Sequence, residues 1–108
     1  SAARGLAMRD ETSIRFLNDV RAFAREDVAK AAAEWARGSA VSREITMRAA
    51  TIGLTRIEVP VEVGGLGLGF RAKAEACAII AAADFGLAMS LVNTHNVAKR
   101  IATTAPPD

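Results

Sequence analysis

Cysteine and histidine are almost absent from this chain, which contains one of each among 108 residues. The single cysteine, Cys77, excludes an intramolecular disulfide and any metal site that needs several thiolates. It is typical of a reducing compartment, and we therefore expect a cytoplasmic protein. The single histidine, His95, excludes a zinc site built on a pair of histidines. From these absences we expect no bound metal.

Long apolar runs and a large charge imbalance are absent too. No run of apolar residues approaches the roughly 18 residues that a transmembrane helix requires, so we expect no membrane span. Fourteen basic residues against twelve acidic ones give a formal net charge of +2, and the two kinds are interleaved along the chain. Nucleic-acid binding depends on a basic surface that neutralises phosphates, so we expect no nucleic-acid partner.

Alanine dominates what is present: 24 of the 108 residues are alanine, and hydrophobic residues make up 51% of the chain. This composition suits closely packed helices rather than strands, and the length suits one domain. The first helical pattern has apolar residues at three- and four-residue steps. They are Ile14, Leu17, Val20, Ala24, Val28, Ala31 and Trp35. We expect this helix to begin at Thr12 or Ser13 and to stop at Gly38, after a flexible lead-in over residues 1–12.

A second, shorter helix is predicted between Ser42, which can cap its N-terminus, and Gly53, which can end it. The segment that follows, Leu54 to Val59, mixes apolar and polar residues and is predicted to be extended. Pro60 supports this prediction because it disfavours helical backbone at the residue before it. Residues 64–69 are rich in glycine and must form a loop.

The third and fourth helices follow this loop. Phe70 to Ala83 is rich in alanine and apolar on most sides, so we expect a largely buried helix. Asp84 is the expected N-cap of the fourth helix, Leu87 to Thr103, which Pro106 and Pro107 terminate. The predicted fold is therefore all-α: a bundle of four or more helices, with the glycine-rich loop between the second and third main helices.

The glycine-rich loop at residues 64–69 invites comparison with nucleotide-binding loops. A dinucleotide fingerprint requires G-x-G-x-x-G between a strand and a helix, whereas the spacing here is G-G-x-G-x-G and no strand follows the next helix. A P-loop ends in Gly-Lys-Ser/Thr, whereas Gly69 is followed by Phe70. We interpret the loop instead as a tight turn that lets helices cross closely.

The remaining chemically capable side chains have structural interpretations. His95 is expected to be a hydrogen-bonded helix residue, and Cys77 a core residue. Glu58 and Glu62 flank Pro60, but nothing in the sequence pairs them as an acid and a base. We therefore expect no catalytic residue within this chain.

Three ordered segments resemble a known family. They are FLNDVRAFA at residues 16–24, EVPVEVGGLGLG at residues 58–69 and ADFGLAMSLVNTHN at residues 83–96. The most specific piece is the P-x-E-x-G-G-x-G-x-G pattern at residues 60–69. Together the segments resemble the N-terminal all-α domain of the acyl-CoA dehydrogenase family of flavoenzymes, over most of the chain.

The resemblance implies that residues 13–105 are the first of three domains and that residues 106–108 begin an interdomain linker. The family holds FAD mainly between its middle β-domain and its C-terminal helical domain, so we expect FAD in the complete enzyme and none bound to this chain alone. The reaction is α,β-dehydrogenation of an acyl-CoA thioester, as in fatty acid metabolism. A glutamate beyond the end of this chain removes the α proton, and the β hydride passes to the flavin.

In that family the N-terminal domain packs over the flavin and lines the slot for the acyl chain. The resemblance therefore implies an oxidoreductase domain that is inactive as an isolated fragment. Its implied partners are an acyl-CoA or related thioester, the middle and C-terminal domains, and further copies of the enzyme in a homo-oligomer.

The family's slot is lined partly by the helix that matches Leu87 to Thr103. The corresponding positions share one helical face. They are Ser90, Leu91, Thr94, His95 and Ala98. No residue of the chain is assigned to FAD binding by the resemblance.

Two departures from the family pattern keep alternatives open. Val63 stands where the family commonly has an aromatic residue, and Lys99-Arg100 replace small apolar residues after the His-Asn pair. Two basic groups at that place allow a substrate other than a fatty-acyl thioester, or membership of the flavin monooxygenase-like branch of the superfamily. A free-standing helical interaction module is the alternative outside enzymology.

Overall fold

The computed structural model describes residues 2–38 and 42–104. Its longer helices are α1 (Ala2–Phe23), α2 (Ala29–Trp35), α3 (Arg43–Ile52), α4 (Phe70–Ala83) and α5 (Phe85–Thr104). A π-helical segment, Ala24–Val28, joins α1 to α2, and a short 3-10 helix spans Val61–Val63. There is no strand in the described ranges, and residues 64–69 form the loop between α3 and α4. The all-α prediction is confirmed.

The first long helix begins at Ala2, so the prediction that it begins at Thr12 or Ser13 was wrong. Residues 2–11 are mostly alanine, arginine, leucine, methionine and glutamate, which are strong helix formers. Extending an existing helix adds one hydrogen bond for each residue fixed, so these residues continue it past the predicted caps. At the other end, α2 stops at Trp35 and a turn reaches Gly38, as predicted.

The π-helical segment is a feature that the apolar pattern did not predict. The N–H of Ala29 bonds to the carbonyl of Ala24, five residues earlier rather than four. Ala24 and Val28, at the two ends of this wide turn, are both buried. The segment therefore keeps the apolar face of the long helix on the core.

The predicted apolar face of this helix is buried only in its middle part, because Ala31 and Trp35 near its C-terminal end are half-buried. Leu17, Val20, Ala24 and Val28 lie in the core, whereas Ile14 is 61% exposed. Ile14 precedes Leu17 by three residues, so it lies about 60° from Leu17 around the helix, at the edge of the buried face. The buried face instead includes the two phenylalanines Phe16 and Phe23.

Local capping residues set three of the helix ends. Ser42 Oγ accepts the N–H of Ile45 at 3.2 Å, and Gly53 ends α3 with φ +108°, the left-handed conformation that glycine adopts freely. Asp84 Oδ1 accepts the N–H of Leu87 at 2.8 Å. These predicted caps are confirmed, although α5 begins at Phe85 rather than at Leu87.

Replacing Asp84 with alanine should lower the free energy of unfolding by about 1 kcal/mol, because α5 loses the acceptor for its free N-terminal N–H. Asp84→Asn is the matched control, since its amide oxygen can accept the same bond. Urea denaturation measures both. Equal losses in the two variants would contradict the capping role.

The core forms where α4 packs against α5 and α1, while α3 packs against α1. Only one face of α4 is buried, that of Ala72, Ala76 and Ile80, so the prediction of a largely buried helix was wrong. The opposite face, which includes Arg71 and Glu75, is exposed because no described element packs on it. The prediction failed because alanine, which counts as apolar in the sequence, is common on exposed helix faces as well as in cores.

Across residues 2–38 and 42–104, no helix has both the length and the apolar character that a bilayer span demands.

The glycine-rich loop folds back onto the segment before it. The N–H groups of Gly65, Gly67 and Leu68 donate to the carbonyls of Pro60, Val59 and Ile57 respectively, each at 2.9 Å. A Cβ on Gly65 would overlap the carbonyl group of Val59. The loop is therefore a tight turn that brings its backbone against the backbone of residues 57–60.

Candidate functional site

A polar cluster lies where α4, α5 and the segment 54–59 meet. Glu58 Oε1 is 3.1 Å from Lys73 Nζ on α4, and Glu58 Oε2 is 3.1 Å from Lys99 Nζ on α5. Lys73 also donates to Asn96 Oδ1 at 2.6 Å. We call Glu58, Lys73, His95, Asn96 and Lys99 the Glu58 cluster.

Helical spacing and the folded-back loop bring this cluster together. His95 and Lys99 are four residues apart, so they share a face of α5. Lys73 lies on α4 beside the buried Ala72 and Ala76, at the edge of the face that meets α5. Glu58 is held between the buried residues Ile57 and Val59, and both of these accept hydrogen bonds from the glycine-rich loop.

His95 is 1% exposed, and its Nε2 accepts the backbone N–H of Glu58 at 3.0 Å. The expectation of a hydrogen-bonded helix residue is confirmed. Because Nε2 is the acceptor, the neutral ring carries its proton on Nδ1. Nδ1 is buried and has no hydrogen-bond partner among the described residues.

The electrostatics of the cluster favour a neutral histidine. Burial lowers the pKa of His95, and the positive charge of Lys73 lowers it further. The Asn96 side chain and the Glu58 carboxylate oppose this shift, and Lys99 adds to it. The imidazole is therefore held in the form that accepts the Glu58 N–H.

Glu58 is held in its ionised form. Burial alone would raise the pKa of Glu58, but hydrogen bonds from Lys73 and Lys99, together with their positive charges, outweigh burial and lower it. The side chain of Glu58 is only 12% exposed, so this pairing replaces most of its contact with water.

Acidification should destabilise the fold through both groups. The lowered pKa values mean that the unfolded chain binds more protons than the folded one below the ordinary values of 6.5 for His95 and 4.5 for Glu58. Stability from the histidine is complete above about pH 6.5 and is lost below it, and the glutamate adds a second loss at lower pH. Urea denaturation between about pH 7 and about pH 4 measures this dependence. A free energy of unfolding that is flat or rises on acidification contradicts it.

A cavity of ≈ 20 Å³ lies beside the cluster, between α4, α5 and the segment 54–59. This volume holds about one water molecule. Its lining is apolar apart from two residues of the cluster, Lys73 and His95. The lining residues are Leu54, Ile57, Lys73, Ala76, Cys77, Ile80, Ala88, Leu91, Val92 and His95. Cys77 is half-buried here and packs against the core, in line with its predicted structural role.

The five residues predicted to line an acyl slot differ in burial. Leu91 and His95 are buried and border the cavity. Ser90 and Thr94 are exposed, and the Thr94 hydroxyl donates to the Ser90 carbonyl at 3.0 Å. Ala98 is half-buried between the two groups. The predicted helical face therefore straddles the boundary between core and surface.

Sequence reasoning missed the ionic part of the site. It noted Lys99 only as a departure from a family pattern, and it found no partner for Glu58. It did not identify Lys73 at all. The one signal for Lys73 in the sequence is that a lysine interrupts an alanine-rich helix. Within the described residues, no group of three or more histidine, cysteine, aspartate or glutamate side chains is placed to hold a metal ion.

The family model for acyl-CoA dehydrogenase, N-terminal domain, matches residues 10–107 of the chain. The chain belongs to this family. Comparison with curated proteins produced no match, and neither did comparison with solved structures. The resemblance seen in the three sequence segments is confirmed.

Proposed function

We propose that this chain serves as the N-terminal domain of an FAD-dependent, acyl-CoA dehydrogenase-like oxidoreductase. Membership of the family over residues 10–107 is the observation that supports this function. The enzyme would act in the cytoplasm as a homo-oligomer and oxidise an acyl-CoA or a related thioester. The middle and C-terminal domains would contribute the catalytic base and most of the flavin site.

The glycine-rich loop does not fit a phosphate-binding role. In nucleotide-binding loops the backbone N–H groups point at phosphate oxygens. Here the N–H groups of Gly65 and Gly67 are used by the carbonyls of Pro60 and Val59. This supports the proposal that the chain covers the flavin in the complete enzyme, while the other domains bind it.

The proposed share of this domain is to bind and desolvate the acyl group. Leu91 would provide an apolar wall, and His95 would present a neutral imidazole beside it. Ser90, Thr94 and Ala98 would form the outer part of the same slot, where another domain covers α5. Exposed apolar side chains such as Val97 and Ile101, 60% and 62% exposed on α5, support coverage by a further domain.

Blocking the slot should shift the preferred acyl-chain length. In the complete enzyme, Leu91→Phe or Ala98→Phe adds bulk at the wall, so kcat/KM should fall by about tenfold or more for the longest good substrate and little for the shortest. Steady-state kinetics on a series of acyl-CoA lengths measure this. Ala78→Phe on the exposed side of α4 is the control. An unchanged length profile in both slot variants removes them from the slot.

Activity should require the other domains. Under anaerobic conditions, an acyl-CoA substrate should bleach the flavin absorbance of the complete enzyme, and the isolated 108-residue chain should neither carry flavin absorbance nor oxidise the thioester. Turnover by the isolated chain, or a complete enzyme whose flavin no acyl thioester reduces, would overturn the proposed function.

A further inference from the structure

One buried nitrogen of the Glu58 cluster has a hydrogen to donate and no acceptor for it. Because His95 Nε2 accepts the backbone N–H of Glu58, the proton of the neutral ring lies on Nδ1. Nδ1 is buried and without a hydrogen-bond partner within residues 2–38 and 42–104. Folded proteins nearly always give a buried donor an acceptor, either from the protein or from an ordered water molecule. We therefore expect an acceptor next to Nδ1.

The cavity beside the imidazole ring of His95 has room for a ligand of one heavy atom. Its volume is ≈ 20 Å³, and the aliphatic side chains of Leu91 and Val92 form part of its wall. One water molecule needs about 10 to 15 Å³ of such space and at least two polar partners. The volume is therefore sufficient for a water molecule or a single halide ion, and too small for a larger ligand.

Lys73 supplies the second polar partner. It lines the same cavity, and its side chain is only 14% exposed. Its ammonium contacts Glu58 Oε1 at 3.1 Å and Asn96 Oδ1 at 2.6 Å, which uses two of its three N–H groups. The third N–H is available to a ligand in the cavity. Cys77, one turn further along α4, also lines the cavity, and its sulfur is a weak acceptor.

The charges around the cavity favour a neutral ligand over a halide ion. Glu58 already neutralises the ammonium of Lys73, the enclosed lysine of the cluster. Lys99, the other lysine, has a side chain 42% exposed, so solvent reaches its charge. An anion moved into the aliphatic part of the cavity would lose its hydration without gaining an unpaired cation. A water molecule accepts from the two donors and can donate to the sulfur of Cys77.

We propose that this cavity is the binding site of one ordered water molecule, which accepts hydrogen bonds from His95 Nδ1 and Lys73 Nζ. The water joins α4 to α5 at the place where the segment 54–59 meets both helices. Its role is to position the imidazole, which is then held at both nitrogens, by Glu58 at Nε2 and by the water at Nδ1. This inference goes beyond the proposed function and requires neither an acyl group nor a flavin.

The test counts the long-lived water molecules of the 108-residue chain by oxygen-17 magnetic relaxation dispersion, which proton exchange at Lys73 does not disturb. Val92→Ile adds one carbon to the lining of the cavity, and Lys73→Met removes one of the two donors. Each variant should have about one long-lived water fewer than the parent chain. Val97→Ile, at a position of α5 that is 60% exposed, is the matched control and should keep the parent's number.

The stability of Val92→Ile gives a second readout, whose sign depends on what the cavity holds. If the added carbon displaces water, the donors of His95 and Lys73 lose their acceptor, and the equilibrium constant for unfolding should rise about tenfold relative to Val97→Ile. If the cavity is dry, the same carbon fills an apolar space and the constant should fall. Urea denaturation measures both variants.

Three results would overturn the proposal. They are an unchanged water count in either variant of the lining, a Val92→Ile variant more stable than Val97→Ile, and a saturable chloride-dependent NMR shift of the His95 ring that sulfate does not produce. The last result would assign the cavity to a halide ion. None of these results bears on whether the complete enzyme oxidises thioesters.

Discussion

Replacing Gly65 with alanine should lower the free energy of unfolding by about 3 kcal/mol, the largest effect expected of any single substitution here. The added Cβ would overlap the carbonyl group of Val59, and backbone cannot move aside as a flexible side chain can. Relief of the overlap would break the hydrogen bonds from Gly65 and Gly67 to Pro60 and Val59. Urea denaturation of the variant and the parent chain measures the loss.

Gly69→Ala is the matched control for this prediction. It lies in the same loop, its φ is −93°, and a Cβ there meets no atom within 4 Å. Because Gly69 is the N-cap of α4, where alanine is less favourable than glycine, we expect a loss of up to about 1 kcal/mol, well below that of Gly65→Ala. If Gly65→Ala were as mild as Gly69→Ala, the close backbone approach would not exist in solution.

His95→Leu should cost about 2 kcal/mol, because the leucine fills most of the space but leaves the backbone N–H of Glu58 buried without an acceptor. The variant should also lose less stability than the parent as the pH falls below about 6.5, since the group with the lowered pKa is gone. Urea denaturation at several pH values gives both quantities.

The His95→Gln variant distinguishes the stability contributed by the hydrogen bond from the stability contributed by packing. Its amide oxygen can accept the Glu58 N–H, so it should recover part of the stability lost in His95→Leu while lacking the same titration. A leucine variant as stable as the parent at neutral pH, with unchanged acid sensitivity, would show that the Glu58–His95 contact contributes nothing.

The helices could be predicted from the sequence because their signals are local. Ser42, Gly53 and Asp84 act through residues three or four positions away, and the structure confirms all three as helix ends. The early start at Ala2 was missed because helix propensity outweighed the apparent caps. The exposed face of α4 was missed because alanine is compatible with both burial and exposure.

The site could be predicted only in part because its contacts are distant in sequence. Glu58 meets His95 and Lys99 across 37 and 41 residues, and no periodicity or spacing rule reaches that far. The motif around Pro60 and the glycines identified the family. Glu58 meets Lys73 only in the folded chain, where the segment 54–59 lies against α4 and α5.

The most direct test of the account is to locate the end of a bound acyl group in the complete enzyme. A short acyl-CoA with a photoreactive diazirine near the end of its acyl chain would be irradiated in the active site, and the labelled residues identified by mass spectrometry. We expect label on residues that line the cavity, such as Leu91, His95 or Cys77, and its suppression by excess unlabelled acyl-CoA. Suppressible label that avoids α4 and α5 altogether would contradict the account.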